Sequence, residues 1–436
     1  METAFFRFTN ELNRSTQYNI TLTSILLTSL LFSGLIILFS SPIARALDYP
    51  DKQSFIIWLA LILAIDAVVA IPFAKLRLEK KAKQFVTARL INIVLNIGLN
   101  LFFLVFCKHV YDGNYLPSLK PVIQKIYSPE IGVGYVFLSN LIANAMLIII
   151  LWRSFFSFRI QLNWQKLKPM LVYAWPLLFM GLAGMVNEMI DRILLKQVLP
   201  EGFYPGKDNL AALGIYGACY KLSIFMTLGI QTFRYAAEPF FFSEAKNKNA
   251  PELFANVMNW FVIACCIIFL IISVNLDLFL LLLRQAEYRE GGLVIPVLLL
   301  ANLFLGIYYN LSVWYKLKDK TYYGMYISIG GAVITIFLNL TLIPYWGYMG
   351  CAVATLICYF LMAAACYFYG KKYFPIPYNL KSGFGYILGA VLLVVIALKV
   401  SFAGNLSDHL FHNFLILVYL VVVWFTVRPK FFRKKG

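Results

Sequence analysis

Acidic residues and histidine are scarce in this chain of 436 residues, which has 20 Asp and Glu against 38 Lys and Arg and only three His. His109, His409 and His412 are scattered along the sequence, so they predict neither a metal cluster nor a buried proton relay. The seven cysteines lie in or beside apolar segments, and none forms a Cys-x-x-Cys pair. They therefore predict neither a zinc site nor a disulfide framework, and we expect no bound metal.

Catalytic motifs are also missing from the sequence. It has no Gly-rich phosphate loop, no Walker motif and no nucleophile elbow. Its longest stretch between apolar segments, about residues 108–130, is too short for a catalytic domain. We therefore predict no catalytic residues, no cofactor and no ATP hydrolysis. Any work must be driven by an ion gradient, by the membrane potential or by the gradient of the substrate itself.

Long apolar segments dominate what is present, and hydrophobic residue types make up 61% of the chain. A helix needs roughly 20 consecutive apolar residues to cross the hydrocarbon core of a bilayer. The sequence therefore predicts an all-α polytopic membrane protein. Twelve such segments lie at about residues 20–41, 54–74, 86–107, 131–152, 169–191, 209–237, 253–283, 292–315, 324–343, 347–369, 383–402 and 411–428.

Lysine and arginine are concentrated in every second loop. Seven alternate loops, from residues 1–19 to residues 428–436, hold 26 of the 38 Lys and Arg, whereas the intervening loops hold 10. Because positive residues stay on the cytoplasmic side, both termini are predicted to face the cytoplasm. The basic loop residues behind the net charge of +18 thus determine the topology and contact anionic lipid. We therefore expect membrane lipid and no nucleic acid among the partners.

Three elements recur in the same order in the two halves of the chain. An acidic residue precedes a Phe pair, a basic hairpin follows, and an asparagine stands late in the next apolar segment. This order predicts two structurally related halves, as in many secondary transporters. The matched elements are Glu2-x-x-Phe5-Phe6 with Glu238-x-x-Phe241-Phe242, Lys75-Leu-Arg-Leu-Glu-Lys with Lys316-Leu-Lys-Asp-Lys, and Asn100 with Asn339.

The repeat is incomplete at the start of the chain. Two apolar segments, 169–191 and 209–237, precede the second copy, whereas the first copy begins at Met1. On a plan of paired repeats we expect roughly 60–70 further residues, forming two spans, upstream of Met1. Either Met1 is an internal methionine taken for the start, or the chain is a truncation.

Four segments spread along the chain point to one family. They are Met1-Glu-Thr-Ala-Phe-Phe-Arg-Phe8, Asn187-Glu-Met-Ile-Asp-Arg-Ile-Leu-Leu195, Gly214-Ile-Tyr-Gly-Ala-Cys-Tyr-Lys221 and Asn339-Leu-Thr-Leu-Ile-Pro-Tyr-Trp-Gly347. Together they resemble polysaccharide flippases of the O-antigen and lipid II branch of the MATE/MOP superfamily, particularly versions common in Bacteroidota. The family typically has fourteen helices, which agrees with twelve helices here and two expected upstream.

The resemblance implies a two-lobed transporter in a bacterial inner membrane. It would move a polyprenyl-pyrophosphate-linked oligosaccharide from the cytoplasmic to the outer leaflet by alternating access, with Na⁺ or H⁺ as coupling ion. The polymerase and glycosyltransferases of the same polysaccharide pathway would be partners. The implied parts are a four-helix lobe at 1–152, an amphipathic linker at 153–168, a six-helix lobe at 169–369, and two additional helices with a basic tail at 370–436.

Cations inside the spans are candidate contacts for the pyrophosphate, because intramembrane charge is costly and Lys and Arg match phosphate oxygens. Lys221 lies mid-membrane in its segment, and Arg192, Arg89 and Arg234 would add positive charge. Arg234 is four residues from Glu238, so an ion pair at the membrane interface is an equal alternative for it.

A polar stripe accompanies Arg89 on one segment. Asn92, Asn96 and Asn100 follow it at spacings of 3, 4 and 4, so the four side chains share one helical face. We predict contacts from Asn92 and Asn96 to sugar hydroxyls. Hydrogen bonds between helices are the alternative, slightly favoured for Asn96, and both interpretations also apply to Asn144.

Three acidic residues inside the spans are candidates for ion coupling: Asp191, Glu188 and Asp66. Glu188 lies four residues before Arg192 and can pair with it, while Asp191 points to another face. The alternative for this cluster is a cap and anchor at the outer end of a helix. For Asp66 the alternative is a role in helix packing.

Two other functions fit a polytopic membrane protein. A MATE-type cation-coupled multidrug exporter needs acidic and aromatic walls, and the several cations of the candidate cavity disfavour it. An O-antigen polymerase or ligase is an enzyme that needs a large outer loop with catalytic residues, and the outer loops here are short. A remnant that no longer transports is a further alternative if the upstream helices are absent.

Overall fold

The computed structural model describes residues 1–10, 12–47, 49–156, 158–245, 247–283, 285–400 and 405–432. These residues form helices and connections, with no β-strand among them. The α-helices are α1 Glu2–Phe8, α2 Arg14–Leu38, α3 Ser40–Ala46, α4 Gln53–Leu78, α5 Ala82–Leu101, α6 Lys108–Tyr111, α7 Lys120–Ile126, α8 Tyr135–Ile150, α9 Trp152–Phe156, α10 Trp164–Val198, α11 Asn209–Leu222, α12 Ile224–Glu244, α13 Ala250–Val274, α14 Leu276–Leu280, α15 Val294–Leu311, α16 Val313–Leu317, α17 Thr321–Tyr373, α18 Leu380–Lys399 and α19 Asn405–Phe432.

The long helices are suited to a membrane. Ten helices in the described part of the chain are long and apolar enough to cross a bilayer, or up to eleven if the bent pair α11 and α12 is one span. The chain is therefore a multi-pass membrane protein, which confirms the predicted class. The sequence predicts twelve crossings. The helix α17 affects the count, because it is interrupted at Gly347 and contains two helical segments.

The helix α17 folds back on itself near its middle. Its 53 residues would extend about 80 Å if straight, far more than the roughly 30 Å of a bilayer core. The backbone leaves the helical region at Gly347, with φ of 54°, three residues after Pro344. A Cβ added at Gly350 would lie 2.7 Å from the Leu342 carbonyl oxygen, although eight residues of continuous helix would separate them by about 12 Å.

The chain divides into two compact units, which we call unit 1 (Met1–Ala174) and unit 2 (Trp175–Gly436). In unit 1, α4 packs against α2 and α8, and α5 also packs against α8. In unit 2, α15 packs against α17, and α13 packs against α15 and α18. The division falls within α10, and the lobe and linker boundaries from the sequence remain predictions.

The repeated Phe pairs make matching contacts in the two units. In unit 1, the rings of Phe5 and Tyr18 meet edge to face with centroids 6.4 Å apart. In unit 2, Phe241 and Phe254 meet in the same way at 4.8 Å. In both cases the partners are separated by 13 residues, and three of the four side chains are less than 2% exposed. The short first element of each series is therefore packed into its unit by an equivalent aromatic pair.

The repeated acids also have matching partners. Glu2 forms an ion pair with Arg77 of the basic hairpin in unit 1. Glu238 forms one with Lys316 of the equivalent hairpin in unit 2, with the charged atoms 3.4 Å apart. Each pair fastens the acidic element to the hairpin that follows it in the series.

Candidate functional site

A hydrogen-bonded chain of polar side chains crosses three helices of unit 1. The amide nitrogen of Asn144 on α8 donates to Asp66 Oδ1 on α4 at 2.9 Å. The amide nitrogen of Asn92 on α5 in turn donates to Asn144 Oδ1 at 3.1 Å. Asn144, in the middle of the chain, is buried, whereas Asn92 at one end is half-buried and Asp66 at the other is exposed. Side chains predicted separately from three segments are thus brought together.

The other members of the polar stripe on α5 have different partners. Asn100 donates to the carbonyl oxygen of Asn96 at 2.8 Å and to its side-chain oxygen at 2.7 Å, so these residues bond along their own helix. The Arg89 guanidinium lies over the Phe73 ring, 4.2 Å from its centroid. Arg89 is also close enough to Asp66 to act on it electrostatically.

Asp191 is the most deeply buried carboxylate among the candidates, with 1% of its surface exposed. Its Oδ2 accepts a hydrogen bond of 2.5 Å from the Tyr216 hydroxyl of α11. Its Oδ1 accepts a 2.7 Å bond from the backbone N–H of Arg192. A charge in this position has no water to stabilise it, so its two donors must replace hydration.

The guanidinium of Arg192 lies over an aromatic ring. It is 4.1 Å from the ring centroid of Tyr220, and one of its nitrogens approaches the Met189 sulfur at 2.8 Å. The sequence allows an ion pair between Arg192 and Glu188, but the described contacts of Arg192 do not include one. Glu188 is exposed and lies near Tyr220, within electrostatic range.

Arg234 repeats this arrangement on α12. Its guanidinium lies 4.2 Å from the ring centroid of Tyr309 on α15, and it lines a small groove together with Glu238 and Lys316. Glu238 pairs with Lys316 of that groove, and this pair replaces the alternative in which Glu238 holds Arg234. Stacking on an aromatic face stabilises a guanidinium while leaving its outward N–H groups available to an anion.

Lys221 lies at a break between two helices. It is the penultimate residue of α11, and α12 continues after Ser223 with a bend of 43°. The Ser223 hydroxyl donates to the Tyr220 carbonyl at 2.7 Å, and the Ser223 backbone N–H donates to the same carbonyl at 3.0 Å. Lys221 is exposed, and its side chain makes no ion pair or hydrogen bond to any other described residue.

The sequence interpretation missed the aromatic partners and the break. Tyr216 and Tyr220 are four residues apart, so they lie on the same face of α11, and this spacing was the available signal. Tyr309 is distant in sequence from Arg234, and no local pattern connects them. The break at Ser223 has neither Pro nor Gly beside it, so a continuous segment at 209–237 was the natural prediction.

The chain matches no known sequence family and no curated protein. Its structure is similar to the lipid II flippase MurJ in the inward closed conformation, with a TM-score of 0.59 at 13% identity over 98% of this chain and 88% of that chain. It is also similar to the Vibrio cholerae MATE transporter VcmN in the bent form, with a TM-score of 0.63 at 15% identity over 88% of this chain and 85% of that chain. An outward-facing MATE family transporter of the MOP superfamily gives 0.65 at 12% identity over 85% of this chain and 82% of that chain. The chain therefore has the fold that the MurJ flippase and the MATE transporters share.

Proposed function

We propose that the chain is a membrane transporter that flips a polyprenyl-pyrophosphate-linked oligosaccharide from the cytoplasmic to the outer leaflet by alternating access. The observation that carries this proposal is the set of three cations in the candidate spans of unit 2. Arg192, Lys221 and Arg234 form no ion pair with a carboxylate in the described part of the chain. Two of them lie over aromatic rings, and one nitrogen of Arg192 also contacts the Met189 sulfur.

The electrostatics of such a set favour an anionic cargo. A cation within a bilayer costs several kcal/mol unless it is paired, so a protein that retains three of them gains from a ligand that supplies the counter-charge. Pyrophosphate provides about two negative charges and several acceptor oxygens, which Lys and Arg match with charge-assisted hydrogen bonds. Lys221 has the strongest claim to this contact, since discontinuous helices in transporters commonly place ligand groups at the break.

Unit 1 carries the amides Asn92 and Asn96 along α5, and we assign them to the sugar hydroxyls of the cargo. Neutral amides suit hydroxyl groups, which need both donors and acceptors. Arg89 on the same helix remains a candidate for the pyrophosphate or the sugar. Because Asn92 is engaged with Asn144 and Asn96 with Asn100, cargo binding would exchange these hydrogen bonds for new ones.

We assign coupling of Na⁺ or H⁺ to the intramembrane carboxylates. Asp191 is the first candidate. When Asp191 binds a proton or an ion, the Tyr216 hydroxyl that donates to it can rotate to a new hydrogen-bonding direction. Glu188 and Asp66, both exposed, are the other candidates. Only one of the three needs to change its state during a cycle.

The remaining parts of the proposal concern architecture and location. We propose twelve crossings, with α11 and α12 as one span and α17 as two, and both termini in the cytoplasm of a bacterium. The lobes would be 1–152 and 169–369, joined by 153–168 and followed by two additional helices at 370–436. The glycosyltransferases and polymerase of a polysaccharide pathway would be the partners of such a flippase.

A MATE-type exporter of cationic drugs is the second candidate, because MATE transporters share this fold, with TM-scores of 0.59 to 0.65 against 0.59 for MurJ. Its cargo would meet Arg192, Lys221 and Arg234 as like charges, which opposes binding. A polymerase or ligase enzyme has less support, since the similar structures named above are transporters.

The test is mass spectrometry of lipids that copurify with the protein from its own membranes. We expect a polyprenyl-pyrophosphate glycan with the wild type and about 10- to 100-fold less of it with Lys221→Ala, the cost of one charge-assisted contact. Lys399→Ala is the matched control, because Lys399 is the other lysine inside an apolar segment.

Two results would overturn the proposal. One is the absence of this lipid from a folded wild-type sample, which would move the assignment to drug export and make cation-driven efflux the next assay. The other is equal retention by Lys221→Ala and Lys399→Ala when both variants accumulate in the membrane like the wild type, which would remove Lys221 from the site.

A further inference from the structure

An apolar groove lies on unit 2, away from the cations described above. Its volume is about 300 Å³, and α13, α15, the second half of α17 and α18 form its walls. The walls are almost entirely hydrocarbon and aromatic, with Met258, Phe304, Phe360, Tyr367, Gly383 and Phe384 among them. None of the predicted site residues belongs to this groove.

The groove extends from one end of α18 into the membrane-spanning region. Its wall on α18 begins beside the capping residue Asn379 and runs from Leu380 to Ile387, a length of about 10 Å along the helix. Phe368 is 69% exposed and Phe384 is 45% exposed, so the groove is open to the surroundings of the helices. In a bilayer those surroundings are hydrocarbon, and an open apolar groove is filled by a hydrocarbon chain.

The end of the groove at α18 is positively charged. Lys371, Lys372 and Lys381 are exposed in the stretch that leads from α17 into α18, and residues 320–407 contain no Asp or Glu. Lys371 lines a small adjoining cavity that shares wall residues with the groove. On the helices that form the walls, Glu252 is an acid near this end, three residues before the wall residue Ala255.

We propose that this groove binds one acyl chain of an anionic phospholipid from the cytoplasmic leaflet, with the lipid phosphate placed among Lys371, Lys372 and Lys381. The apolar walls account for the acyl chain, and the three exposed lysines account for the headgroup. The cytoplasmic leaflet follows from the basic loop at 370–382, which the charge alternation assigns to that side. This site is distinct from the cargo site and does not depend on the proposed function.

Glycine on α18 offers a way to fill the groove without disturbing the fold. A Cβ added at Gly383 would meet no atom within 4 Å, and the same is true of Gly385. Only Gly383 lines the groove, and two residues of helix turn Gly385 to about the opposite side of α18. Gly383→Leu therefore occupies the groove, and Gly385→Leu is a control with the same change in helix propensity.

The test is native mass spectrometry of the purified chain in detergent with added phosphatidylglycerol or phosphatidylcholine. We expect one phosphatidylglycerol bound to the wild type and to Gly385→Leu, and about tenfold weaker binding by Gly383→Leu, since its side chain displaces about two methylenes of the lipid. Ala364→Leu on the facing wall of α17 should have the same effect and provides a second variant if Gly383→Leu fails to accumulate. Replacing the three lysines by Gln should remove the preference for phosphatidylglycerol.

Three outcomes would overturn the proposal. They are equal lipid binding by Gly383→Leu, Ala364→Leu and the wild type; equal binding of the two phospholipids by the wild type; and a polyprenyl lipid retained in the groove in place of phospholipid. The last outcome would assign the groove to the cargo. Loss of glycan from Lys221→Ala with normal phospholipid binding would separate the two sites.

Discussion

Units 1 and 2 each contain the same kinds of contact, but their spans differ in burial. Equivalent Phe contacts and equivalent ion pairs fasten the first element of each series. The spans built on α4 and α5 are nevertheless only 22% and 11% buried, whereas those built on α13 and α15 are 61% and 67% buried. The difference teaches that the repeated sequence elements specify matching local contacts but do not specify equal burial of the spans.

The polar groups of the two units differ in part as well. In unit 1, Asn92, Asn144 and Asp66 bond to each other, and Arg89 lies over the Phe73 ring. In unit 2, Arg192 and Arg234 lie over Tyr rings, and Lys221 lies at a helix break. Cations over aromatic rings are therefore common to both units, whereas the hydrogen-bonded chain of Asn and Asp is a feature described in unit 1.

The largest expected effect concerns which unit couples the ion. Asp191→Asn should make glycan export independent of the ion gradient, because an amide still accepts a hydrogen bond from Tyr216 but cannot bind a proton or carry charge. Asp66→Asn should leave the dependence intact. Export would be measured in cells with and without an ionophore that collapses the gradient. The reverse pattern would move coupling to unit 1, and full dependence in both variants and in Glu188→Gln would remove it from these carboxylates.

The next effect tests the equivalence of the aromatic pairs. Phe254→Ala should lower the free energy of unfolding by about 3 kcal/mol, because Phe254 is a fully packed ring at 1% exposure. Tyr18→Ala should cost at least as much, since its hydroxyl also donates to the Ser154 carbonyl at 2.9 Å. Thermal unfolding in detergent measures both, with Trp260→Ala, a residue 50% exposed on α13, as the control. Small, control-like shifts in both variants would contradict an equivalent structural role.

A smaller effect is expected at the ion pairs. Glu238→Gln should lower the free energy of unfolding by about 1 kcal/mol. This loss is smaller than that of a fully buried ion pair, because the side chains of Glu238 and Lys316 are 16% and 15% exposed. Glu2→Gln should give a loss of similar size in unit 1. Thermal unfolding at low and high salt measures both losses, and a loss that does not diminish with salt would show that the pairs do not act through charge.

The smallest effect distinguishes the two repeated asparagines. Both donate to the carbonyl four residues earlier at 2.8 Å, but Asn339 is fully buried and its side-chain oxygen has no partner among the described atoms. Asn339→Leu should therefore be neutral or slightly stabilising, whereas Asn100→Leu should cost about 0.6 kcal/mol because it also loses the bond to Asn96. Thermal shifts of the two variants provide the measurement, and a clear loss for Asn339→Leu would indicate a partner for its oxygen.

The sequence predicted the helical membrane class because long apolar segments and alternating charge are local patterns. It also predicted the repeated elements, whose contacts match in the structure. It offered hydrogen bonds between helices as an alternative for Asn92 and Asn144, but it did not predict their partners, because these depend on which helix faces meet. The stacking of Arg192 on Tyr220 was missed for a related reason, since a pair with Glu188 satisfied the helical spacing equally well.

The reversal within α17 has a practical consequence for mapping topology. Gly347 has a positive φ, and a Cβ there would collide with the Tyr204 hydroxyl, so a reporter cysteine at the turn would disturb the turn that it reports on. Glu201 is exposed in the connection before α11, the same connection that holds Tyr204 against this turn. Labelling a cysteine at position 201 would therefore locate the reversal relative to the bilayer while leaving its backbone intact.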